Sequence, residues 1–183
     1  MTPSSPPLAL VVIAGPQASG KSTVAVALSE ALRRAGESVA LVELDRIAAM
    51  ALPTLPSWDT AHHVFELVVA RWARSDLSCV IAEGSGAAEE VARLLAQLPE
   101  GAVAVTAVTT APFDLALVRA QADPTRGISR ERSFLYEVYE RWSHEVDRIE
   151  SDVLLNTADL DPDQCVERVM DAIAAARAAG DLG

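Results

Sequence analysis

The segment at residues 15–23 constrains the fold of this chain more than any other. It directly follows the apolar run Leu8 to Ala14 and leads into an amphipathic stretch. It reads Gly-Pro-Gln-Ala-Ser-Gly-Lys-Ser-Thr and fits the pattern G-x-x-x-x-G-K-[ST], whose fixed positions are Gly15, Gly20, Lys21 and Ser22. Glycines at this spacing let the backbone wrap around an anion so that several N–H groups point inward. A strand, this loop and a helix in succession predict a site for the phosphates of a nucleotide.

The side chains of this phosphate loop have predicted roles. Lys21 is expected to reach the β- and γ-phosphates of ATP, and the Ser22 hydroxyl is expected to ligate Mg²⁺. The helix that follows adds its positive N-terminal end. The cofactors predicted from the loop are therefore ATP and Mg²⁺. The nucleotide-binding residues predicted within it are Gly15, Ala18, Ser19, Gly20, Lys21, Ser22 and Thr23.

Apolar runs alternate with longer amphipathic stretches along the chain, which is the pattern of a parallel sheet covered by helices. The runs predict strands at residues 8–14, 38–44, 78–82, 102–108 and 152–155. The amphipathic stretches predict helices at residues 20–35, 60–74, 112–122, 129–150 and 161–179. The predicted fold class is α/β, with a single domain at residues 8–183. A flexible leader rich in proline and serine is predicted at residues 1–7.

Composition excludes several other classes of protein. The net charge is −11, with 26 acidic against 15 basic residues, so no positive field exists to release counterions from a nucleic acid polymer. The longest apolar runs are about eight residues, far short of a membrane span. Cys79 and Cys165 have no partner at metal or redox spacing, which is typical of core residues in a reducing compartment. We therefore expect a cytoplasmic protein that binds neither nucleic acid polymers nor membranes.

Carboxylates close two of the predicted strands. Ligands bind open α/β sheets at the carboxyl ends of the strands, so these positions carry information about function. Asp45 closes the second strand and could accept the proton of a substrate hydroxyl as that hydroxyl attacks phosphorus. Its alternative role is to cap a helix that starts near Arg46. Glu83 closes the third strand, where it could hold Mg²⁺ or a Mg²⁺-bound water, or be a turn carboxylate beside Gly84.

Four arginines gather in one stretch, at positions 119, 126, 130 and 132. Guanidinium groups stabilise the charge that develops on a phosphoryl group in transfer. Arg126 beside Gly127 predicts a mobile lid that excludes water after ATP binds. We expect catalytic roles for Arg119 and Arg126. The alternative is a solvated helix face on which these arginines pair with neighbouring carboxylates.

Trp58, His62 and His63 lie in the segment expected to form the acceptor pocket. Trp58 could stack on a ring of the acceptor. It could equally be a packing residue, with the adjacent histidines simply polar surface. The sequence leaves these alternatives open.

Taken together, these residues resemble the small P-loop kinases, the group that holds shikimate, gluconate and nucleoside monophosphate kinases. Within that group the chain looks most like the chloramphenicol phosphotransferase-like family. The resemblance rests on the phosphate loop, on the strand ending at Asp45, on the segment Val118 to Gly127 and on the segment Ser151 to Thr157. It implies a three-layer fold with a five-stranded parallel sheet of order 2-3-1-4-5 and a short helical lid. It also implies ATP as donor, an acceptor hydroxyl deprotonated by Asp45, and adenine near Arg119 and Thr157.

Three functions compete. The first is an ATP-dependent transfer of phosphate to a hydroxyl of a small molecule, either an antibiotic or a biosynthetic metabolite. The second is a nucleoside or nucleotide kinase, which would need arginines for a second phosphate near Asp45, where only Arg46 stands. The third is an ATP-binding regulatory module without turnover. A homodimer through the apolar helix faces near Phe65 or Phe134 is compatible with the sequence.

Overall fold

The computed structural model describes residues 6–180, and its five strands form one parallel sheet in the order β2-β3-β1-β4-β5. Every neighbouring pair of strands is parallel. The strands are β1 (Ala9–Ala14), β2 (Val39–Glu43), β3 (Cys79–Glu83), β4 (Val103–Thr110) and β5 (Val153–Asn156). The predicted α/β class and its strand order are confirmed. Residues 1–5 of the predicted leader lie outside the described residues.

Seven α-helices accompany the sheet in this part of the chain. They are α1 (Lys21–Arg34), α2 (Leu44–Ala49), α3 (Trp58–Trp72), α4 (Ala88–Leu95), α5 (Phe113–Ala122), α6 (Arg132–Glu145) and α7 (Pro162–Gly180). A 3₁₀ segment, Pro124–Arg130, connects α5 to α6, and a short one, Val146–Arg148, follows α6. Among residues 6–180 no helix is both long and apolar enough to cross a membrane.

The central strand β1 shows why the sheet needs helices on both faces. Successive side chains of a strand point to opposite faces. Val11 and Ile13 pack in the cluster that holds α1 and α7, whereas Leu10 and Val12 pack in the cluster that holds α3 and α4. All six residues of β1 are buried. This arrangement explains why the apolar run in the sequence is uninterrupted rather than alternating.

The structure corrects the end of the second strand. β2 ends at Glu43, and Leu44 already begins α2, so Asp45 lies in the first turn of a helix rather than at the end of a strand. The strand ends one residue earlier than the apolar pattern indicated, because Leu44 and Ile47 are buried in the core from a helix. Asp45 nevertheless stays at the carboxyl edge of the sheet.

Two helical regions also differ from the sequence prediction. The helix α4 was missed, although Ala88, Val91 and Leu94 recur every three residues and are all buried. The single helix expected at residues 129–150 is shorter than predicted, because α6 spans Arg132–Glu145 and lies between two 3₁₀ segments. The 3₁₀ segment before α6 contains Gly127 at φ 53°, a left-handed conformation that breaks helical geometry.

An ion-pair cluster fastens the last helix to the edge of the sheet opposite the phosphate loop. The Arg177 guanidinium contacts both carboxylate oxygens of Glu37, at 2.6 and 2.9 Å. It also donates to the carbonyl oxygens of Ser78, at 2.7 Å, and Pro7, at 3.0 Å. The side chains of Arg177 and Glu37 are only 14% and 16% exposed. This bidentate geometry makes the cluster a structural element rather than a solvated surface pair.

We expect Arg177→Met to lower the free energy of unfolding by about 2 to 3 kcal/mol, because it leaves a mostly buried carboxylate without its partner. Urea unfolding at pH 7 measures this loss. Arg168→Met is the matched control, since Arg168 is exposed on the same helix. Equal losses in the two variants would contradict a stabilising role of the cluster.

Candidate active site

The phosphate loop lies between β1 and α1, with Lys21 folded back into it. The Lys21 Nζ donates to the carbonyl oxygens of Gly15, at 2.8 Å, and Pro16, at 3.1 Å. Burial lowers the pKa of Lys21 from its ordinary value, opposed by the charges of Glu83 and Asp45. The amine is thus held at the centre of the loop, where it can exchange these carbonyl contacts for phosphate oxygens.

The loop is tied to β4 by hydroxyl contacts that the sequence did not reveal. The Ser19 hydroxyl donates to the Pro16 carbonyl at 2.8 Å and lies 2.7 Å from the Thr109 hydroxyl. A Cβ on Gly15 would lie 2.3 Å from that same Thr109 hydroxyl oxygen. Gly15 is therefore required sterically as well as for its backbone conformation. Ser19 has a clear structural role here.

Glu83 meets the loop at the carboxyl end of β3. Its Oε1 lies 3.4 Å from the Ser22 hydroxyl and 3.9 Å from the Lys21 Nζ. Glu83 is 5% exposed, and burial raises its pKa from 4.5 to about 7, against the opposing effect of Lys21. A buried carboxylate and a hydroxyl side by side are hard oxygen donors of the kind that Mg²⁺ binds.

Asp45 faces the same group of charges from the first turn of α2. It is exposed, unlike Glu83. Its charge raises the pKa of both Lys21 and Glu83, although burial is the larger influence on each. The structure thus brings together Lys21, Ser22, Glu83 and Asp45 from three elements. No cluster of three or more His, Cys, Asp or Glu that could hold a metal ion occurs within residues 6–180.

The raised pKa of Glu83 predicts a pH effect on stability in the absence of nucleotide and Mg²⁺. The folded state binds the Glu83 proton more tightly than the unfolded state does. Protonated Glu83 therefore stabilises the fold fully below about pH 4.5, and this stabilisation is lost as the pH rises through about 7. We expect the stability difference between wild type and Glu83→Gln to change by about 3 kcal/mol between pH 4.5 and 8. Urea unfolding in EDTA at several pH values measures it. A difference that is independent of pH would contradict the raised pKa.

A cavity of about 360 Å³ opens beside the phosphate loop. Its lining includes the loop residues Ala18, Gly20 and Thr23, the arginines Arg119 and Arg126, and Thr157, Leu160 and Pro162. The Arg119 guanidinium donates to the Thr157 hydroxyl and to the Thr157 carbonyl, each at 2.8 Å. The Thr157 hydroxyl in turn donates to the Ser19 carbonyl at 2.8 Å. These contacts connect α5, the loop after β5 and the phosphate loop into one wall.

Arg126 lies in the 3₁₀ segment that covers this cavity. Its Nε is buried and makes no hydrogen bond within the described residues, although it lies 3.3 Å from the Asp123 Oδ2. Its charge also lowers the pKa of Lys21, although less than burial does. A second contact joins this segment to the phosphate loop, because the Ser129 hydroxyl bonds the Gln17 side chain. Arg126 thus lies close enough to Lys21 to affect its charge, while its own partner is Asp123 in the same segment.

The other arginines of the stretch do not reach the loop. Arg130 is exposed and donates to the Gln121 carbonyl at 3.4 Å. Arg132 lies 3.9 Å from Asp114 and stacks over the Phe113 ring at 5.1 Å. Of the aromatic and histidine candidates, Trp58 is 53% exposed, whereas His62 and His63 line a second cavity. Phe65 is completely buried within the chain and so cannot itself make a dimer contact, whereas Val64 and Leu67 on the same helix are exposed.

Sequence reasoning missed Glu90, which is 2% exposed beside the candidate site. Its Oε1 accepts from the Ser85 backbone N–H at 2.7 Å and from the Ser85 hydroxyl at 3.1 Å, and its Oε2 contacts the His62 Nδ1. A Cβ on Gly84 would lie 2.1 Å from its Oε1. Glu90 thus fixes the turn that follows Glu83. The sequence did contain one indication of this role. The apolar spacing of α4 places Glu90 on the side of the helix that faces the core.

Comparison with known proteins yields likeness of structure only. No family model matches the chain, and no curated protein matches its sequence. A candidate kinase from Chloroflexus aurantiacus superposes with TM-score 0.69 at 19% identity, covering 93% of this chain and 98% of that chain. Shikimate kinase from Bacteroides thetaiotaomicron superposes with TM-score 0.61 at 12% identity, covering 91% of this chain and 98% of that chain. A sugar kinase from Janibacter sp. superposes with TM-score 0.61 at 19% identity, covering 94% of this chain and 98% of that chain. At these identities the likeness establishes the fold.

Proposed function

We propose that this protein is an ATP-dependent phosphotransferase that moves the γ-phosphate of ATP to a hydroxyl of a small molecule. The observation that carries the proposal is the meeting of Lys21, Ser22 and Glu83 at the mouth of the phosphate loop, beside a cavity lined by Arg119 and Arg126. The structural neighbours named as shikimate and sugar kinases support it, because the same fold extends over more than nine-tenths of this chain.

The phosphate loop and the adjacent cavity are the proposed ATP site. Backbone N–H groups from Gly15 to Thr23 would hold the phosphates, and the Lys21 amine would neutralise their charge. Arg119 and Thr157 form the far wall of the cavity, where we place the adenine. That wall is apolar around Leu160 and Pro162, which suits the faces of a flat ring.

Ser22 and Glu83 are the residues proposed to hold Mg²⁺. Their oxygens are 3.4 Å apart, and the buried carboxylate would regain its charge beside a cation. Bound Mg²⁺ supplies charge neutralisation for the phosphates. Glu83 is also close enough to Lys21 to keep the amine pointed into the loop.

Asp45 is the residue proposed to accept the proton of the acceptor hydroxyl. Its exposure leaves it free to contact an acceptor, whereas Glu83 is buried against the loop. The Arg126 guanidinium would bind the phosphoryl group during transfer by exchanging its ion pair with Asp123 for phosphate oxygens. The segment that carries Arg126 would act as the lid and exclude water from the site.

The acceptor is proposed to be an antibiotic or a biosynthetic metabolite, as the resemblance to the chloramphenicol phosphotransferase-like family implies. A nucleotide acceptor is less well supported, because the side chain of Arg46 is 79% exposed and lies 3.6 Å from Glu43. We further propose a single cytoplasmic domain at residues 8–183 without a nucleic acid or membrane partner. Phe134, which is half-buried on α6, remains the candidate for a homodimer contact.

The experiment that tests this function is ADP release from ATP·Mg²⁺ with a panel of acceptors. The panel holds aromatic and sugar antibiotics, nucleosides, nucleoside monophosphates and hydroxy acids. We expect release to depend on one class of acceptor and the product to carry phosphate on oxygen. ATP binding without turnover on any member would instead favour the ATP-binding regulatory module.

A further inference from the structure

A second cavity, of about 450 Å³, lies on the other side of the candidate active site. Its ionisable lining comes from α3 and α4 and consists of Asp59, His62, His63, Glu66, Glu90 and Arg93. Ser85 and Ala87, in the turn that follows Glu83, complete its inner wall. The turn touches the phosphate loop directly, because a Cβ on Gly86 would lie 2.7 Å from the Gly15 backbone nitrogen. The cavity is therefore separated from the phosphate loop only by this turn.

The fixed charges of this cavity are mainly negative. Asp59, Glu66 and Glu90 contribute three carboxylates against the single guanidinium of Arg93. That guanidinium is already engaged, since its Nε donates to the Glu66 Oε1 at 2.7 Å. No other arginine or lysine lines the cavity among residues 6–180. The first cavity, beside the phosphate loop, has an excess of positive charge instead, because Arg119 and Arg126 line it with only one carboxylate, Asp123.

The buried Glu90 gives this cavity a fixed hydrogen-bonding group. A carboxylate accepts hydrogen bonds, so the contact with Glu90 favours the His62 tautomer that carries the proton on Nδ1. The opposite ring nitrogen of His62, Nε2, then accepts a hydrogen bond in the neutral ring and donates one in the cation. Because Glu90 is also bonded to Ser85, the orientation of the imidazole is set from within the protein. His62 is thus prepared to bind a hydroxyl group.

We propose that this acidic cavity binds the acceptor and that the acceptor is a neutral or cationic hydroxyl compound, not a carboxylate or a phosphate ester. This inference rests on the proposed phosphotransferase function and names the class of its substrate. His62 contacts the acceptor, and Glu90 is a positioning residue that acts through His62. An anionic acceptor is disfavoured because it would enter a cavity with an excess of carboxylates, where the Arg93 guanidinium is already paired with Glu66.

The first arm of the test measures turnover on acceptors that share a skeleton and differ in charge. Glucose, glucosamine and gluconate form one set, and nucleosides with their monophosphates form another. We expect kcat/KM for the neutral or cationic member to exceed that for the anionic member by at least about tenfold in any set that is phosphorylated. A set in which the anionic member is preferred overturns the inference.

Variants separate a binding role from a structural one. We expect His62→Asn to raise KM for the acceptor by about tenfold with little change in kcat or in KM for ATP. Glu90→Gln should act in the same direction, and Asp59→Asn should lessen the discrimination against anions. Asp76→Asn is the matched control. Asp76 is exposed in the turn between α3 and β3, at the amino ends of the strands and therefore far from the carboxyl ends where the site lies. Unchanged acceptor kinetics in both His62→Asn and Asp59→Asn would contradict the assignment.

The second arm needs no turnover. Two pyrrolidine nitroxides that differ only in bearing an aminomethyl or a carboxylate group report local potential through relaxation of backbone amide protons. At each amide we take the ratio of the relaxation caused by the cationic probe to that caused by the anionic probe. At low salt we expect this ratio to be severalfold higher at Ser85 than at Thr23. Asp59→Asn should reduce this enrichment, and Asp76→Asn should not. Equal ratios at Ser85 and Thr23 overturn the inference.

The two arms distinguish the two possible failures. If no acceptor in the panel is phosphorylated and the cationic enrichment at Ser85 persists, the phosphotransferase function fails while the charge selectivity of the cavity stands. If turnover occurs with an anionic preference, the function stands and the substrate class is wrong.

Discussion

Replacing Lys21 by methionine is expected to lower kcat/KM for ADP formation by about 10²- to 10³-fold. Lys21 is the only lysine of the chain, and its amine is held at the centre of the phosphate loop by two backbone carbonyls. A donor aimed at charge that develops on a transferring group contributes an effect of this size. Methionine keeps the length of the side chain but cannot donate. Steady-state ADP release with a responsive acceptor measures the loss.

The single lysine also allows a direct test that needs no acceptor. An amine-reactive reagent such as trinitrobenzenesulfonate has one side chain to modify, and peptide mapping separates it from the N-terminal amine. We expect ATP·Mg²⁺ to protect Lys21 from modification. Arg168→Met serves as the control for removal of a cation, since Arg168 is exposed on α7. Full activity of Lys21→Met, or modification unaffected by ATP, would contradict the proposed nucleotide site.

Replacing Asp45 by asparagine is expected to lower kcat by about 10²- to 10⁴-fold, the usual contribution of a positioned general base. Asparagine has nearly the same shape and cannot accept the hydroxyl proton. The expected signature is loss of turnover with ATP affinity retained, because Asp45 is exposed on α2 and not part of the loop that would hold phosphate. Single-turnover phosphate transfer and equilibrium ATP binding measure the two quantities separately.

Glu83→Gln is the informative comparison for Asp45→Asn. Glu83 is proposed to hold Mg²⁺ with Ser22, so its replacement should raise the concentration of Mg²⁺ required for activity. Asp45→Asn should leave that requirement nearly unchanged. If Asp45→Asn instead shifts the Mg²⁺ dependence and Glu83→Gln abolishes turnover at saturating Mg²⁺, the two carboxylates have been assigned the wrong way round.

The two cavities give the proposed reaction a consistent electrostatic arrangement. Cationic groups surround the place where the phosphates of ATP would lie, and carboxylates surround the place where the acceptor would lie. The phosphate loop and the turn after Glu83 separate the two and contact each other through Gly15 and Gly86. Opposite charge on the two sides allows one small domain to hold a polyanion and exclude anions from the adjacent pocket.

The sequence by itself determined the features that depend on local pattern. The phosphate loop was predictable because its glycines, lysine and hydroxyl lie within nine consecutive residues, with a buried strand before them and a helix after them. The α/β class followed from the alternation of apolar runs with amphipathic stretches, and the resemblance gave the strand order. The last predicted helix, at residues 161–179, was also local, since the Asp161 side chain accepts a hydrogen bond from the Gln164 N–H at 2.9 Å and so caps its start.

Only the tertiary structure decided how residues far apart in the chain act on one another. Glu83 and Glu90 are ordinary carboxylates in the sequence, but packing of β3 and α4 buries both. The first gains a pKa of about 7, and the second fixes His62, which is 28 residues away. Arg119 and Thr157 likewise meet across 38 residues because α5 and the end of β5 converge beside the loop. Burial and hydrogen-bonding partners depend on how the whole core is assembled, so they cannot be predicted from residues that are neighbours in the sequence.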